Sequence, residues 1–390
     1  MQAGLILLCL AYVLSQFFRA FLAVLAHVLQ QDIGAGPEDL AAASGLWFLA
    51  FAIMQLPVGW ALDRVGPRRT SSVLLLIGGG GGAALFALAT TSLHIKVAMA
   101  LIGIGCSPVL MASYFIFAHE YPPAKFATLA ALMLGVGSVG NLVASYPTAL
   151  AADLIGWRGT LAGLSILSAF VAIGLFFAVR DPEQDHGDAQ GSLFDLLKMP
   201  VMWAILPMMF ASYAPAGALR GLWIGPYLTD IFGLNTSQIG QATLVMGIAM
   251  IAGTLAYGPL DRVLGTRKWL IFGGSTLCGT ALLMLTLIPA NSVLVSVGLM
   301  AAVGFFGASF PVMIAHGRSF FPPHLVGRGV TLLNLFGIGG VGLMQLASGR
   351  IHEQMAGGPA IASYQALFGF FAGALLVGLV FYLFSRDSLD

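Results

Sequence analysis

One compact charged turn occurs twice in this 390-residue chain, and no other feature narrows the fold so far. Gly59-Trp60-Ala61-Leu62-Asp63-Arg64-Val65-Gly66-Pro67-Arg68-Arg69 stands in the first half, and Gly258-Pro259-Leu260-Asp261-Arg262-Val263-Leu264-Gly265-Thr266-Arg267-Lys268 in the second. Long apolar runs flank both copies. Basic residues collect in short loops on one side of a membrane, so two such turns between apolar runs point to a duplicated membrane protein.

Composition agrees. The chain is 58% hydrophobic and 8% charged, against roughly 25% charged for a soluble domain, so water cannot be the solvent for most of its surface. A helix needs about 20 apolar residues to cross the hydrocarbon, and about twelve stretches qualify: 5–29, 40–62, 71–91, 96–117, 127–149, 160–179, 201–227, 238–260, 268–289, 293–316, 329–350 and 361–384. The expected fold is therefore all-α and membrane-integral. No stretch is left for a second, water-soluble domain. The first span lacks a basic leader and a small-residue cleavage site and carries Arg19 at its centre, so it reads as a permanent helix. Cys9, Cys106 and Cys278 lie singly in apolar spans, which implies neither a disulfide nor a metal cluster.

Basic residues set the orientation. With a cytoplasmic N-terminus, Arg64, Arg68, Arg69, Lys125, Arg180, Lys198, Arg262, Arg267, Lys268, Arg318, Arg328 and Arg386 fall inside, and only Lys96, Arg158 and Arg350 outside. That excess of about twelve to three predicts both termini in the cytoplasm. The basic residues are topological, and no stripe of them is left for nucleic acid.

The duplication extends beyond the turns. Asp32-Ile33-Gly34 after the first span is echoed by Asp230-Ile231-Phe232-Gly233 after the seventh, and Tyr121-Pro122-Pro123 by Phe321-Pro322-Pro323. Six spans per copy is an even number, so the copies form a parallel repeat about an axis along the membrane normal. The expected division is a six-helix bundle over 1–180, a polar cytoplasmic connection over 181–199 and a second six-helix bundle over 200–390.

These residues resemble the major facilitator superfamily of secondary transporters. The first turn resembles its signature between helices two and three, and the second its copy between helices eight and nine, with the Gly-to-Asp spacing one residue short. The resemblance implies two bundles that alternate between outward-open and inward-open states around a central site. It also implies a gating role for Gly59, Asp63, Arg64, Gly66, Arg68, Arg69, Asp261, Arg262 and Arg267. Physically, Asp63 is available to a helix N-terminus, and the arginines to carboxylates or helix C-terminal carbonyls. Topology alone is the competing account of the arginines.

None of the sixteen acidic residues falls near the middle of a span, and only two basic ones are deep: Arg19 in span one and Arg220 in span seven. A central charge costs at least about 2.5–3.5 kcal/mol and normally marks a functional site. Two cations without a buried carboxylate need an anion, and guanidinium forks bind carboxylate or phosphate bidentately. The alternative is that each bonds to backbone carbonyls freed by helix breaks, which Pro215, Gly217 and Gly221 make plausible for Arg220. Arginines in helices one and seven are also similar to those of organophosphate antiporters in this superfamily. Gly135-Val136-Gly137-Ser138-Val139-Gly140-Asn141 resembles helix five of nitrate porters, but spans two and eight lack the arginines those porters use. Gln16, Trp47, Gln55, Tyr114, Asn141, Tyr146, Tyr213, Trp223, Gln241, Asn334 and Gln345 are candidates to complete a pocket, with helix packing as the competing role of each. Gln16 precedes Arg19 by three residues and would share its face on a continuous helix.

Gly135 to Gly140 also fits a dinucleotide pattern, but no strand precedes it; this segment and the run Gly78 to Gly82 read as close helix contacts. Nucleophile and metalloprotease motifs are absent, so an enzyme has no support, and neither cofactor nor metal is implied. The expected function is secondary active transport of a small organic anion, a carboxylate or phosphate compound, by exchange or symport. The expected setting is the inner membrane, among lipids and as a monomer. The alternatives are a proton-driven exporter of amphipathic compounds and a ligand sensor that does not transport. The exporter reading is weakened because Val139-Gly140-Asn141-Leu142 replaces the glycine-proline pattern typical of exporters in helix five.

Overall fold

The computed structural model describes residues 2–182, 196–322, 325–355 and 357–388, without the side chains at 2, 123, 124, 127 and 262. The described residues are helices and short turns, arranged in two compact units, Met1–Gly187 and Asp188–Asp390. Most of the expected connection 181–199 lies outside the described residues.

The first unit contains α1 (Gln2–Phe18), α2 (Leu22–Ile33), α3 (Pro37–Arg64), α4 (Pro67–Ala87), α5 (Ser92–Glu120), α6 (Pro123–Val143) and α7 (Tyr146–Ala178). The second contains α8 (Pro200–Phe232), α9 (Thr236–Leu264), α10 (Lys268–Leu287), α11 (Val293–Arg318), α12 (Val326–Gln354) and α13 (Ala360–Tyr382). Among the described residues ten helices are long and apolar enough to cross a membrane, or eleven if a bent pair counts as one span.

Two expected spans differ in detail. The stretch 5–29 is not one helix: α1 and α2 are bent by 54° across Arg19–Phe21. The stretch 127–149 is interrupted at Ser145, and the helix resumes at Tyr146. It breaks again at Gly156, whose φ of 74° and ψ of 158° are non-helical, so the sixth span begins at Trp157. Apolar periodicity registers neither the bend at Arg19–Phe21 nor the interruption at Ser145, because both fall within expected spans, whereas Gly156 lies in the stretch expected as a loop between 149 and 160.

Small residues set the helix spacing, as expected for a chain that packs in lipid. A Cβ on Gly105 of α5 would lie 2.1 Å from the Gly79 nitrogen, so the glycine run of α4 is where these two backbones meet. A Cβ on Gly140 of α6 would lie 2.0 Å from the Val13 carbonyl oxygen of α1. Gly78, Gly79, Gly82, Gly137 and Gly140 are contact surfaces within helical segments, while a Cβ on Gly135 would meet nothing among the described residues.

The repeat is visible in the polar contacts. Gly34 and Gly233 cap α2 and α8 with the same left-handed φ of 66°. The aspartate just before each cap reaches the last span of its own unit. Asp32 accepts from the Trp157 indole at 2.8 Å and from Arg158, and Asp230 accepts from the Tyr364 hydroxyl at 2.5 Å.

Candidate functional site

Arg19 sits in the turn between α1 and α2, where the helix has ended at Phe18. Its guanidinium carbon is 5.2 Å from the Trp47 ring centre and 5.5 Å from that of Phe51. Both rings belong to α3, one turn apart, and stack on each other at 5.2 Å and 17°. A guanidinium beside aromatic rings is attracted by their quadrupole, and its N–H groups, which lie in its own plane, can still donate to a planar anion. Among the described residues no carboxylate pairs with Arg19, and its buried Nε makes no hydrogen bond. Trp47 is fully buried, with Gly103 of α5 packed so closely that a Cβ there would lie 2.4 Å from the Trp47 carbonyl oxygen. That contact holds α3 in place behind the arginine.

The neighbouring polar candidates divide. Gln55, one turn beyond Phe51, is buried and donates to the Phe51 carbonyl at 3.1 Å. Gln16 donates to the Tyr12 hydroxyl at 2.7 Å; because α1 ends before Arg19, the expected shared helical face does not extend to the arginine. Tyr114 is half-buried with its ring 5.8 Å from Phe126, and Asn141 and Tyr146 are half-buried near the break at Ser145.

In the second unit Arg220 is 4% exposed and lies in a π-helical turn, Leu219–Trp223, within α8. A π turn widens the helix by one residue and is frequent at functional positions. Trp223 closes the turn, fully buried, and donates to the Ser348 hydroxyl of α12 at 2.9 Å. Gln345, one turn before Ser348, is fully buried, and neither amide atom has a hydrogen-bond partner among the described residues. Buried amides ordinarily make at least one hydrogen bond. Tyr213 packs on Phe310 at 5.2 Å, Asn334 is half-buried and Gln241 is exposed.

The duplicated turns are built alike. Gly66 precedes α4 with a φ of 94°, and a Cβ there would lie 2.6 Å from Asp181 Oδ1. That carboxylate, just beyond α7, accepts the Arg68 backbone N–H at 2.8 Å and pairs with its guanidinium at 3.3 Å. In the second copy Asp387, just beyond α13, accepts from the Thr266 hydroxyl and from the backbone N–H groups of Arg267 at 3.2 Å and Lys268 at 3.0 Å. Burial would raise the Asp387 carboxyl, but these hydrogen bonds outweigh it and hold it below the usual range. Asp261 pairs with Arg267 at 3.3 Å, whereas Asp63, Arg64 and Arg69 are exposed. Gly59 lies in the last turns of α3, and the Arg262 side chain is outside the described residues.

Sequence reasoning missed Phe51, although it follows Trp47 by four residues and so shares its face. It also missed Asp181 and Asp387, which a comparison of the repeated dipeptides Arg180-Asp181 and Arg386-Asp387 would have found.

The chain matches the model of the Major Facilitator Superfamily over residues 8–224 and 208–389. It is 23% identical over 301 residues to a probable L-galactonate transporter of Escherichia coli K12, covering 70% of this chain and 62%, under two thirds, of that protein. It is 21% identical over 352 residues to the sialic acid transporter NanX of the same organism, covering 87% of this chain and 84% of that one. The crystal structure of a D-xylose-proton symporter superposes with a TM-score of 0.79 over 98% of both chains at 15% identity, a likeness of fold. With almost every residue from 8 to 389 inside the matched segments, the chain belongs to the Major Facilitator Superfamily.

Proposed function

We propose that the protein is a secondary active transporter of a small organic anion, working by alternating access, with Arg19 and Arg220 as the ligands of the anionic group. The observation that carries this reading is the Arg19 guanidinium beside Trp47 and Phe51, with no carboxylate partner among the described residues. A permanently charged group at the break of a membrane span needs a counter-charge, and a substrate carboxylate supplies one with matching fork geometry. Two similar proteins are named for L-galactonate and sialic acid, both carboxylates with several hydroxyl groups. Buried amides such as Gln345 suit hydroxyls of this kind.

On this reading the substrate is a polyhydroxy carboxylate, and the duplicated turns gate access from the side of the termini. We place the protein in the inner membrane as a monomer with both termini in the cytoplasm, two six-helix bundles being joined by the connection 181–199. Exchange, or co-entry of a proton with the substrate, provides the energy without a deep titrating side chain.

The test measures binding of L-galactonate, sialic acid and uncharged galactose to purified protein, together with the melting temperature of each preparation. Carboxylates should bind and galactose should not. Arg19→Gln and Arg220→Gln should each weaken carboxylate binding by about tenfold or more, and Arg→Lys should recover part of the loss. Unchanged affinity in well-folded Arg19→Gln would refute the assignment.

A further inference from the structure

The second unit carries a groove of about 1020 Å³ at the end where α8 begins and α13 finishes. Its walls include Trp203 and Pro207 of α8, Phe320 beyond α11, and Phe381 and Phe384 at the end of α13. Among the described residues Arg386 is the one charged member of the lining. The aromatic walls are open to the surroundings: Trp203 is 63% exposed and Phe384 is 80% exposed.

Arg386 is held by its backbone. Its carbonyl faces His316 Nε2 at 2.9 Å, and the Tyr382 hydroxyl faces His316 Nδ1 at 2.7 Å. A carbonyl can only accept, so Nε2–H donates to Arg386, and in the neutral ring Nδ1 then accepts from Tyr382. On the other side Asp387 is tied to Thr266, Arg267 and Lys268, and the Lys268 ammonium donates to the carbonyls of Leu383 at 2.8 Å and Ser385 at 2.7 Å. The guanidinium itself differs from those of Arg68, Arg158 and Arg267, each of which meets a carboxylate. Among the described residues Arg386 has no ion-pair partner.

We propose that this groove is a binding site for an anionic phospholipid, with the headgroup phosphate on Arg386 and an acyl chain along the aromatic wall. Arg386 lies four residues past the end of α13, a membrane-crossing helix, which is headgroup level. The wall from Pro200 to Pro207 extends about 10 Å along the helix into the apolar zone, enough for the first half of an acyl chain. One cation at the mouth of an otherwise apolar slot selects a negatively charged headgroup over a zwitterionic one. The site shares no residue with the proposed substrate ligands, so its failure would leave that reading intact.

The experiment measures binding of phosphatidylglycerol and phosphatidylcholine to the purified full chain by native mass spectrometry, with inorganic phosphate as competitor. Wild-type protein should retain phosphatidylglycerol in preference to phosphatidylcholine, and phosphate at millimolar concentration should not displace it. Arg386→Gln should weaken phosphatidylglycerol about fivefold and leave phosphatidylcholine unchanged. Ala204→Trp keeps the guanidinium but fills the groove; it should abolish retention, and it serves as the test if Arg386→Gln does not fold. Equal retention of the two lipids by the wild type, an unchanged phosphatidylglycerol affinity in either variant, or displacement by inorganic phosphate would overturn the proposal.

Discussion

The tie between Gly66 and Asp181 makes a quantitative prediction about two substitutions on different helices. Asp181→Ala removes an acceptor that holds one backbone N–H at 2.8 Å and one guanidinium at 3.3 Å. A hydrogen bond to a charged group contributes about 1.5–3 kcal/mol, and with the Arg68 and Asp181 side chains 32% and 25% exposed, solvent reduces this to about 1–2 kcal/mol. Gly66→Ala meets two obstacles. An alanine at a φ of 94° is strained by about 1–3 kcal/mol, and its Cβ would stand 2.6 Å from the carboxylate, which must swing away and lose its bonds to Arg68. The single cost is then about 2–5 kcal/mol, the strain plus the tie.

In the double variant the carboxylate is already gone, so only the backbone strain is added to the loss of the tie. Gly66→Ala with Asp181→Ala should therefore be about as stable as Gly66→Ala alone, well short of the sum of the two. Apparent melting temperatures of the four proteins in one detergent decide the matter. A double variant whose loss equals that sum would show that the side chains act independently and refute the steric argument.

Asp387 should respond to acid. Its folded-state pKa lies below the ordinary 3.8, so its contribution to stability is complete above that value and is lost as pH falls through it toward the folded pKa. Melting temperature should drop more steeply below pH 4 in the wild type than in Asp387→Asn, and parallel curves would count against the tie. On the gating proposal, Asp63→Asn should slow transport while ligand affinity in detergent stays the same, because a contact made in one conformation shifts a population. Unchanged transport rates would remove Asp63 from the gate.

Much of the fold was legible because hydrophobic length is a strong signal in lipid. Span 40–62 appears as α3 and span 361–384 as α13, with ends displaced by a few residues. Breaks were legible only where a residue type announces them. Gly156, where the chain turns through a φ of 74°, falls in the stretch expected as a loop between spans 127–149 and 160–179, whereas the interruption at Ser145 lies inside span 127–149. The split at Arg19–Phe21 has neither Gly nor Pro, and Phe18 and Phe21 on its two sides are fully buried. Such a break depends on tertiary packing, which no local pattern encodes.

The same distinction explains the site. Arg19 and Arg220 stood out because a charge in hydrocarbon is costly wherever it falls, a property of the residue and its depth alone. What holds each one depends on partners distant in sequence. Arg19 leans on Trp47 and Phe51 from another helix, and Arg220 is buried in a π turn of α8. Because the rings beside Arg19 come from another helix, substitutions at Trp47 bear directly on the proposed role of Arg19, a dependence that no local pattern encodes.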